Sequence, residues 1–231
     1  MKIKSISTKF IKKHGQHSDI LNLSNLSVAN NTNFDATLSG STCSLVLLYR
    51  DKIYSLSLGD SKGILGMLHP TDNSYQLMPY MISTEHKASS KSEQKRILAS
   101  KGFLHPLQDK QGKDIGPIRI WDSSHKYPGL MVSRSFGDLV GKKCGVSGEP
   151  DIIEIEMKMK HKCLILASDG FWDVHSNLEA LKGVYSQNER KMVNIGQVLV
   201  DMTKRTLSLW KTNFGGMHRD DVSIVLVYFN H

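Results

Sequence analysis

Apolar segments with the period of a β-strand follow one another through hairpin-length turns, and no strand–helix–strand rhythm intervenes. This restricts the chain to an antiparallel layered α+β fold. Leu45–Tyr49 is a continuous apolar run, and Arg50-Asp51-Lys52 has the composition of a hairpin turn. Tyr54, Leu56 and Leu58 then alternate with Ser55 and Ser57, the pattern of a strand with one face buried. Ile64–Leu68 and Tyr75–Ile82 read as strands on either side of Pro70–Ser74. Cys163–Ala167 reads as a buried strand, and Val222–Phe229 as the last one. A helix is expected over 92–101, with Ser92 as N-cap and Gly102 as its stop. Ser176-Asn177-Leu178-Glu179 is a capping-box signature that opens a second helix. Met192, Ile195, Leu199, Met202 and Leu209 form the stripe of a third, which we read as core packing. Residues 103–132 are punctuated by Gly and Pro, with 109–116 as a polar turn region, and residues 1–37 are polar, holding at most a poor helix and a loop.

Composition narrows the class further. The 231 residues suffice for one domain with a real core, and 39% hydrophobic with 23% charged residues is ordinary for a soluble globular protein. No apolar run approaches the ~20 residues of a membrane-spanning helix. The formal net charge of +8 fits a solvated lysine-rich surface, or attraction to phosphorylated, acidic partners. Nucleic acid is not expected as a partner, because no zinc-finger spacing, recognition-helix signature or Arg–aromatic interleaving is present. Cys43, Cys144 and Cys163 are odd in number and far apart, which argues for reduced thiols in an intracellular compartment, cytoplasmic or nuclear. The acid-free, lysine-bearing start leaves an organelle-targeting peptide as the alternative.

Three aspartate contexts carry the chemistry. Ala167-Ser168-Asp169-Gly170-Phe171-Trp172-Asp173 follows the buried strand, Gly59-Asp60-Ser61 follows the alternating one, and Arg219-Asp220-Asp221 precedes the last. A carboxylate at a strand end is rigidly placed and still wet, as a Mg²⁺ or Mn²⁺ site that keeps several waters requires. The competing reading is that Asp169 and Asp173 cap a nearby helix, and that the Gly-Asp and Asp-Gly pairs are turns.

Taken in order, these segments resemble the metal-dependent Ser/Thr protein phosphatases, the PPM or type 2C family. The resemblance covers about residues 38–229. It rests on Ser39-Gly40-Ser41-Thr42, on Leu58-Gly59-Asp60-Ser61, on Glu85-His86-Lys87 with Arg96-Ile97, and on Val132 through Asp138 with Glu149-Pro150-Asp151. The blocks 164–174 and 219–227 complete it, and the segment Gly116 to Trp121 with Pro128-Gly129-Leu130 is similar to members in plants and protists. Glu85 stands where aspartate is usual. The resemblance implies an αββα sandwich of two antiparallel sheets flanked by helices. It also implies a domain over 38–231 behind the polar 1–37 segment, with a substrate-shaping flap at about 83–130. It makes Asp169 and Asp220 direct ligands of a Mg²⁺ or Mn²⁺ pair, Asp60 with Asp169 the holders of a third ion, and Asp173 a hydrogen-bond acceptor for water on the metal. The implied activity is hydrolysis of phosphoserine or phosphothreonine in a phosphoprotein by metal-activated water, in a chain expected to be monomeric.

One departure stands out. The family's early glutamate strand and Asp-Gly-His-Gly-Gly turn, whose aspartate bridges both metals, have no counterpart in residues 1–37. Lys13-His14-Gly15-Gln16-His17 puts lysine where that aspartate belongs, and His14 and His17 read as a solvated pair. Two expectations follow: a phosphatase whose N-terminal strands are missing from this sequence, or a catalytically inactive, phosphatase-like binding module. The carboxylates at 60, 169, 173 and 220 favour the first.

Overall fold

The computed structural model describes residues 35–72, 74–185, 194–215 and 219–229. His14, His17 and Met192 therefore lie outside the described residues. The chain forms two compact units, residues 1–43 with 86–150 and residues 44–85 with 151–231.

The second unit is built on two antiparallel sheets. One has the order β10 (Asp151–Glu156), β3 (Lys52–Leu58), β2 (Cys43–Tyr49), and the other β12 (Ile224–Tyr228), β11 (His161–Ala167), β4 (Lys62–Pro70), β5 (Tyr75–Met81). Ile53, Leu65, Met67, Ile82 and Leu164 pack together between the sheets, with Val46, Ile155 and Val227 beside them. The opposite face of the four-stranded sheet packs on α3 (Asp169–Trp172), α4 (Asn177–Tyr185) and α5 (Ile195–Phe214) through Ile64, Cys163, Ile165, Phe171, Leu181, Val198 and Met202. Strand β11 thus divides its side chains between two apolar layers, which explains its unbroken apolar run. These are the antiparallel sheets and flanking helices expected from the hairpin pattern.

Four details refine the expectation, each for a physical reason. The alternation in β3 has the expected period, and the face that carries its serines is the buried one. Ile53, Ser55 and Ser57 face inward, while Tyr54 and Leu56 are only half-buried. The small serines allow a close approach, and the Ser57 hydroxyl accepts from the Thr84 amide at 3.2 Å. The first helix, α1, runs Lys91–Ala99 with Ser90, not Ser92, at its N-cap, and Lys101 (φ 60°), just ahead of the Gly102 stop, takes the left-handed position after the helix. The buried stripe of α5 is Val198, Met202, Thr206 and Trp210, so Ile195 and Leu209 lie off its axis. Finally, Gly and Pro do not keep residues 103–130 out of a sheet. These residues form a three-stranded sheet, β6 (Phe103–Gln108), β7 (Asp114–Trp121), β8 (Pro128–Leu130). The capping box at Ser176 is present as read: Glu179 N donates to Ser176 Oγ at 3.3 Å, and Ser176 N to Glu179 Oε2 at 3.1 Å.

The first unit holds that sheet, a two-stranded pairing of β1 (Gly40–Ser41) with β9 (Phe136–Gly137), helix α1, and the short helix α2 (Leu139–Lys143). Ala88, Ile97, Ile120, Cys144 and Val146 form its apolar centre. Beside it Glu93, 4% exposed, receives Arg96 Nη2 at 2.7 Å, Arg134 Nη2 at 2.9 Å and Ser133 Oγ at 2.7 Å. Arg96 continues to the Gly145 and Ser133 carbonyls, and Arg134 to the Glu149 carbonyl. A single buried carboxylate so ties helix α1 to the 133–149 segment.

Burial alone would push the Glu93 carboxyl up, but the hydrogen bonds from Arg96, Arg134 and Ser133 outweigh it and hold the group well below the usual carboxylate range. With the folded value depressed, its contribution to stability is complete above the ordinary glutamate value of 4.5 and is lost as pH falls below it. Replacing Glu93 by Ala removes the carboxylate that two arginines share and should cost about 3–5 kcal/mol at neutral pH. Urea unfolding should show a gap between parent and variant at pH 7 that narrows toward strongly acid pH. A gap independent of pH would mean that Glu93 acts through packing alone.

Candidate functional site

The ladder of the four-stranded sheet determines where the acids go. Ala167, the last residue of β11, pairs with Lys62 on one side and Ile224 on the other. Beyond that rung, at the same end of the sheet, lie Asp60 just before β4, Asp169 just after β11, and Asp220 ahead of β12. Asp173 follows as the C-cap of the single-turn helix α3, its amide donating to the Asp169 carbonyl at 2.8 Å.

Four residues stitch this end together. The Trp172 indole N–H lies 3.0 Å from the Lys62 carbonyl and 3.1 Å from that of Ala167, closing the rung from below. Ser168 Oγ donates to the Asp221 carbonyl at 3.1 Å and accepts from the Ser223 amide at 3.0 Å, which fixes the 220–223 segment beside 168–170. Gly170 lies so close that a Cβ there would be 2.2 Å from the Asp221 carbonyl oxygen and 3.3 Å from Asp220 Cβ. Only glycine fits, for reasons of space rather than of backbone angle. From the helical layer, Trp210 donates to the Gly170 carbonyl at 2.6 Å.

Asp60 is buried, at 8% exposure, Asp169 is half-buried, and Asp173 and Asp220 are exposed. Burial pushes the Asp169 carboxyl up, the charge of Asp220 adds to that and Asp173 adds a little more, while the Gly170 amide, 3.0 Å from Oδ1, opposes them. This coupling brings Asp169 together with Asp220 and Asp173. Among the described residues, however, no group of three or more His, Cys, Asp or Glu side chains is arranged to hold an ion. The donors are hard carboxylate oxygens and suit Mg²⁺ or Mn²⁺ chemically, with water left to supply most of the coordination. As for helix capping, Ser168 occupies the N-cap of α3 without a side-chain cap bond, and Asp169 is the first helical residue.

Two residues at this end escaped sequence reading. The Lys62 ammonium sits 4.7 Å from the centre of the Trp172 ring and 3.8 Å from Glu85 Oε2, a fixed positive charge next to the acids. Its signal was its place two residues after Asp60. His175, buried, stacks on Phe171 at 4.4 Å, and its Nε2 lies 3.0 Å from Thr206 Oγ1. Thr206 already donates to the Met202 carbonyl, so His175 is the donor, and burial lowers its pKa. No spacing in the sequence pointed to this pairing. Cys163 is fully buried and its thiol is pushed up to about 12, which leaves it chemically inert.

With this geometry established, similarity to known proteins can be weighed. The family model "Protein phosphatase 2C" matches residues 5–208. "Probable protein phosphatase 2C 73" of Arabidopsis thaliana is 32% identical over 196 residues, covering 85% of this chain and 49% of that protein. "Probable protein phosphatase 2C 34" of the same plant is 28% identical over 205 residues, covering 89% and 54%. The chain spans about half the length of the curated relatives it matches. Among solved structures, the serine-threonine phosphatase 2C from Toxoplasma gondii superposes with a TM-score of 0.71 at 23% identity, over 100% of this chain and 72% of that one, a likeness of fold.

The raised Asp169 carboxyl yields a test of sign. Ionising it is harder in the folded than in the unfolded state. The penalty is absent below the ordinary value of 3.8 and appears as pH rises through the folded value. In metal-free buffer at pH 7, Asp169→Asn should therefore raise the melting temperature, and the gain should vanish in acid. A residue that merely stabilised the first turn of a helix would give no change or a fall.

Proposed function

The chain belongs to the protein phosphatase 2C family, and on that premise we propose that it is a metal-dependent protein serine/threonine phosphatase acting on phosphoserine and phosphothreonine. The observation that carries the reading is the shared rung Lys62–Ala167–Ile224, beyond which Asp60, Asp169 and Asp220 leave the sheet at one end. The domain that does this work runs from 38 to 231 behind the polar 1–37 segment, and the flap at about 83–130 shapes substrate choice. The substrate is a phosphoprotein and the working unit a monomer in the cytoplasm or nucleus. No described helix is long and apolar enough to cross a membrane.

Asp169 and Asp220 would hold Mg²⁺ or Mn²⁺, two ions or three, with Asp60 sharing the third ion with Asp169. When bound, these cations supply Lewis acidity: they acidify water for attack on phosphorus and offset charge on the phosphate oxygens. Asp173 accepts a hydrogen bond from water at the site and orients it. Lys62, held over Trp172 and beside Glu85, keeps positive charge at the end of the sheet to which the phosphate dianion comes. No side-chain nucleophile is required, and the buried Cys163 thiol offers none.

With so few fixed ligands, cation affinity should be weak, so the assay uses excess Mn²⁺. Hydrolysis of a phosphothreonine peptide should be abolished by chelation and fall at least about 100-fold in Asp169→Asn. Joining an Asp-Gly-His-Gly-Gly-bearing segment from a relative ahead of residue 38 should raise both cation affinity and turnover. If neither the chain nor the joined protein turns over the peptide in excess Mn²⁺, the phosphatase reading is wrong and the inactive binding module takes its place.

A further inference from the structure

Outside the acidic end of the sandwich, one pair of side chains is arranged to bind. His105 on β6 and His125, in the loop between β7 and β8, point ring nitrogens at each other, with Nε2 of the first 2.9 Å from Nδ1 of the second. Both rings are held from behind. His105 stacks on Trp121 at 5.2 Å with the planes 9° apart, and His125 packs on Phe103 at 4.4 Å. Trp121 is itself anchored by its indole N–H, which donates to the His105 carbonyl at 2.9 Å.

The tautomers follow from the neighbours. His105 Nδ1 lies 2.8 Å from the Pro106 carbonyl, which can only accept, so this nitrogen carries a proton. Neutral His105 therefore presents a lone pair at Nε2. An N–H directed at a backbone carbonyl is the arrangement that orients metal-binding imidazoles. The carbonyl is available because the β6–β7 register shifts between His105 and Leu107. His125 is in an exposed loop in the left-handed conformation (φ 57°), its amide donating to Asp122 O at 3.0 Å, while the Asp122 amide donates to Tyr127 O at 2.6 Å. The loop is wound so that this ring meets His105.

We propose that His105 and His125 form a two-imidazole site for a borderline transition-metal cation, Zn²⁺ foremost, distinct in chemistry from the all-carboxylate end of the sandwich. Two Zn–N bonds of about 2.0–2.1 Å at a tetrahedral angle need nitrogens about 3.3 Å apart, so the nitrogens must separate by a few tenths of an ångström and each ring must tilt by about 35° from its present N···N line. The cation replaces the proton between the rings, and His125 takes a proton at its outward Nε2, so the neutral pair becomes two neutral ligands with no net proton change. Among the described residues no third His, Cys, Asp or Glu joins them, so water completes the coordination. Arg119, opposite His105 on β7, directs Nη1 to the Gly129 carbonyl at 2.7 Å. An occupied site would fasten the 122–127 loop to strand β6.

The test is calorimetric titration of Zn²⁺ into the full chain with excess Mg²⁺ present. Three variants are compared: His125→Asn, which tolerates the left-handed backbone, His105→Gln, and a His14→Ala/His17→Ala double variant. Each of the first two should weaken the tightest Zn²⁺ site by at least about tenfold with the circular dichroism unchanged, and the double variant should retain it. An unchanged isotherm in His125→Asn, or loss of the site in the double variant instead, overturns the proposal. Should a variant fail to fold, ¹⁵N-imidazole spectra of the parent decide. Zn²⁺ must shift His105 Nε2 and His125 Nδ1, and shifts confined to other histidines refute the site.

Discussion

A strand buried on both faces cannot carry charge along its length, so it can present charge only where it ends. Strand β11 is that strand. Cys163, Ile165 and Ala167 face the helices, and Leu164 and Leu166 face the second sheet. Its pairing with β4 and β12 is in register at Ala167, and the acids of three separate chain segments are delivered together as a result. The two tryptophans secure this geometry from opposite sides. Trp172 bonds to the carbonyls of the rung itself, and Trp210 to the carbonyl of Gly170, whose missing Cβ lets the Asp220 segment lie alongside. Burying both rings also removes a large apolar area from water, so the site rests on the same hydrophobic layer that stabilises the sheet.

How much of this was legible in the sequence depended on whether the signal was local. The apolar run 163–167 followed by Asp169-Gly170, and the reciprocal Ser176/Glu179 cap, are fixed by a few adjacent residues and were read correctly. The inward face of β3 was not. Ser55 and Ser57 line it because a sandwich needs small residues where its sheets come close, and burial there is decided by the partner sheet rather than by polarity. Residues 103–132 were read only as punctuated by Gly and Pro around a polar turn at 109–116, and a bulge at His105/Leu107 with positive-φ glycines at 112 and 116 accommodates that punctuation in a sheet. Among the acids, Asp60, Asp169 and Asp220 could be placed at strand ends from sequence. The coupling of Asp169 to Asp220 and Asp173 is a property of the ladder and had no sequence signal beyond chain order.

Two carboxylates show how differently the chain treats buried charge. Glu93 is answered within the protein by Arg96, Arg134 and Ser133, every bond of them internal, and its role is complete without any ligand. Asp169 receives the opposite treatment. Burial and two like charges raise its carboxyl, and the nearby amide of Gly170 only partly offsets them. Held this way, the Asp169 carboxylate makes the folded protein less stable than it would be without its charge. Under the proposed cation role, binding and folding would be linked. The same reasoning bounds the affinity. Repulsion among a few carboxylates favours capture of a cation, while the strength of capture depends on how many rigid oxygens surround it, and no three acids of the described residues converge. The scaffold at the sheet end therefore supplies position and charge, and further ligands would supply tightness.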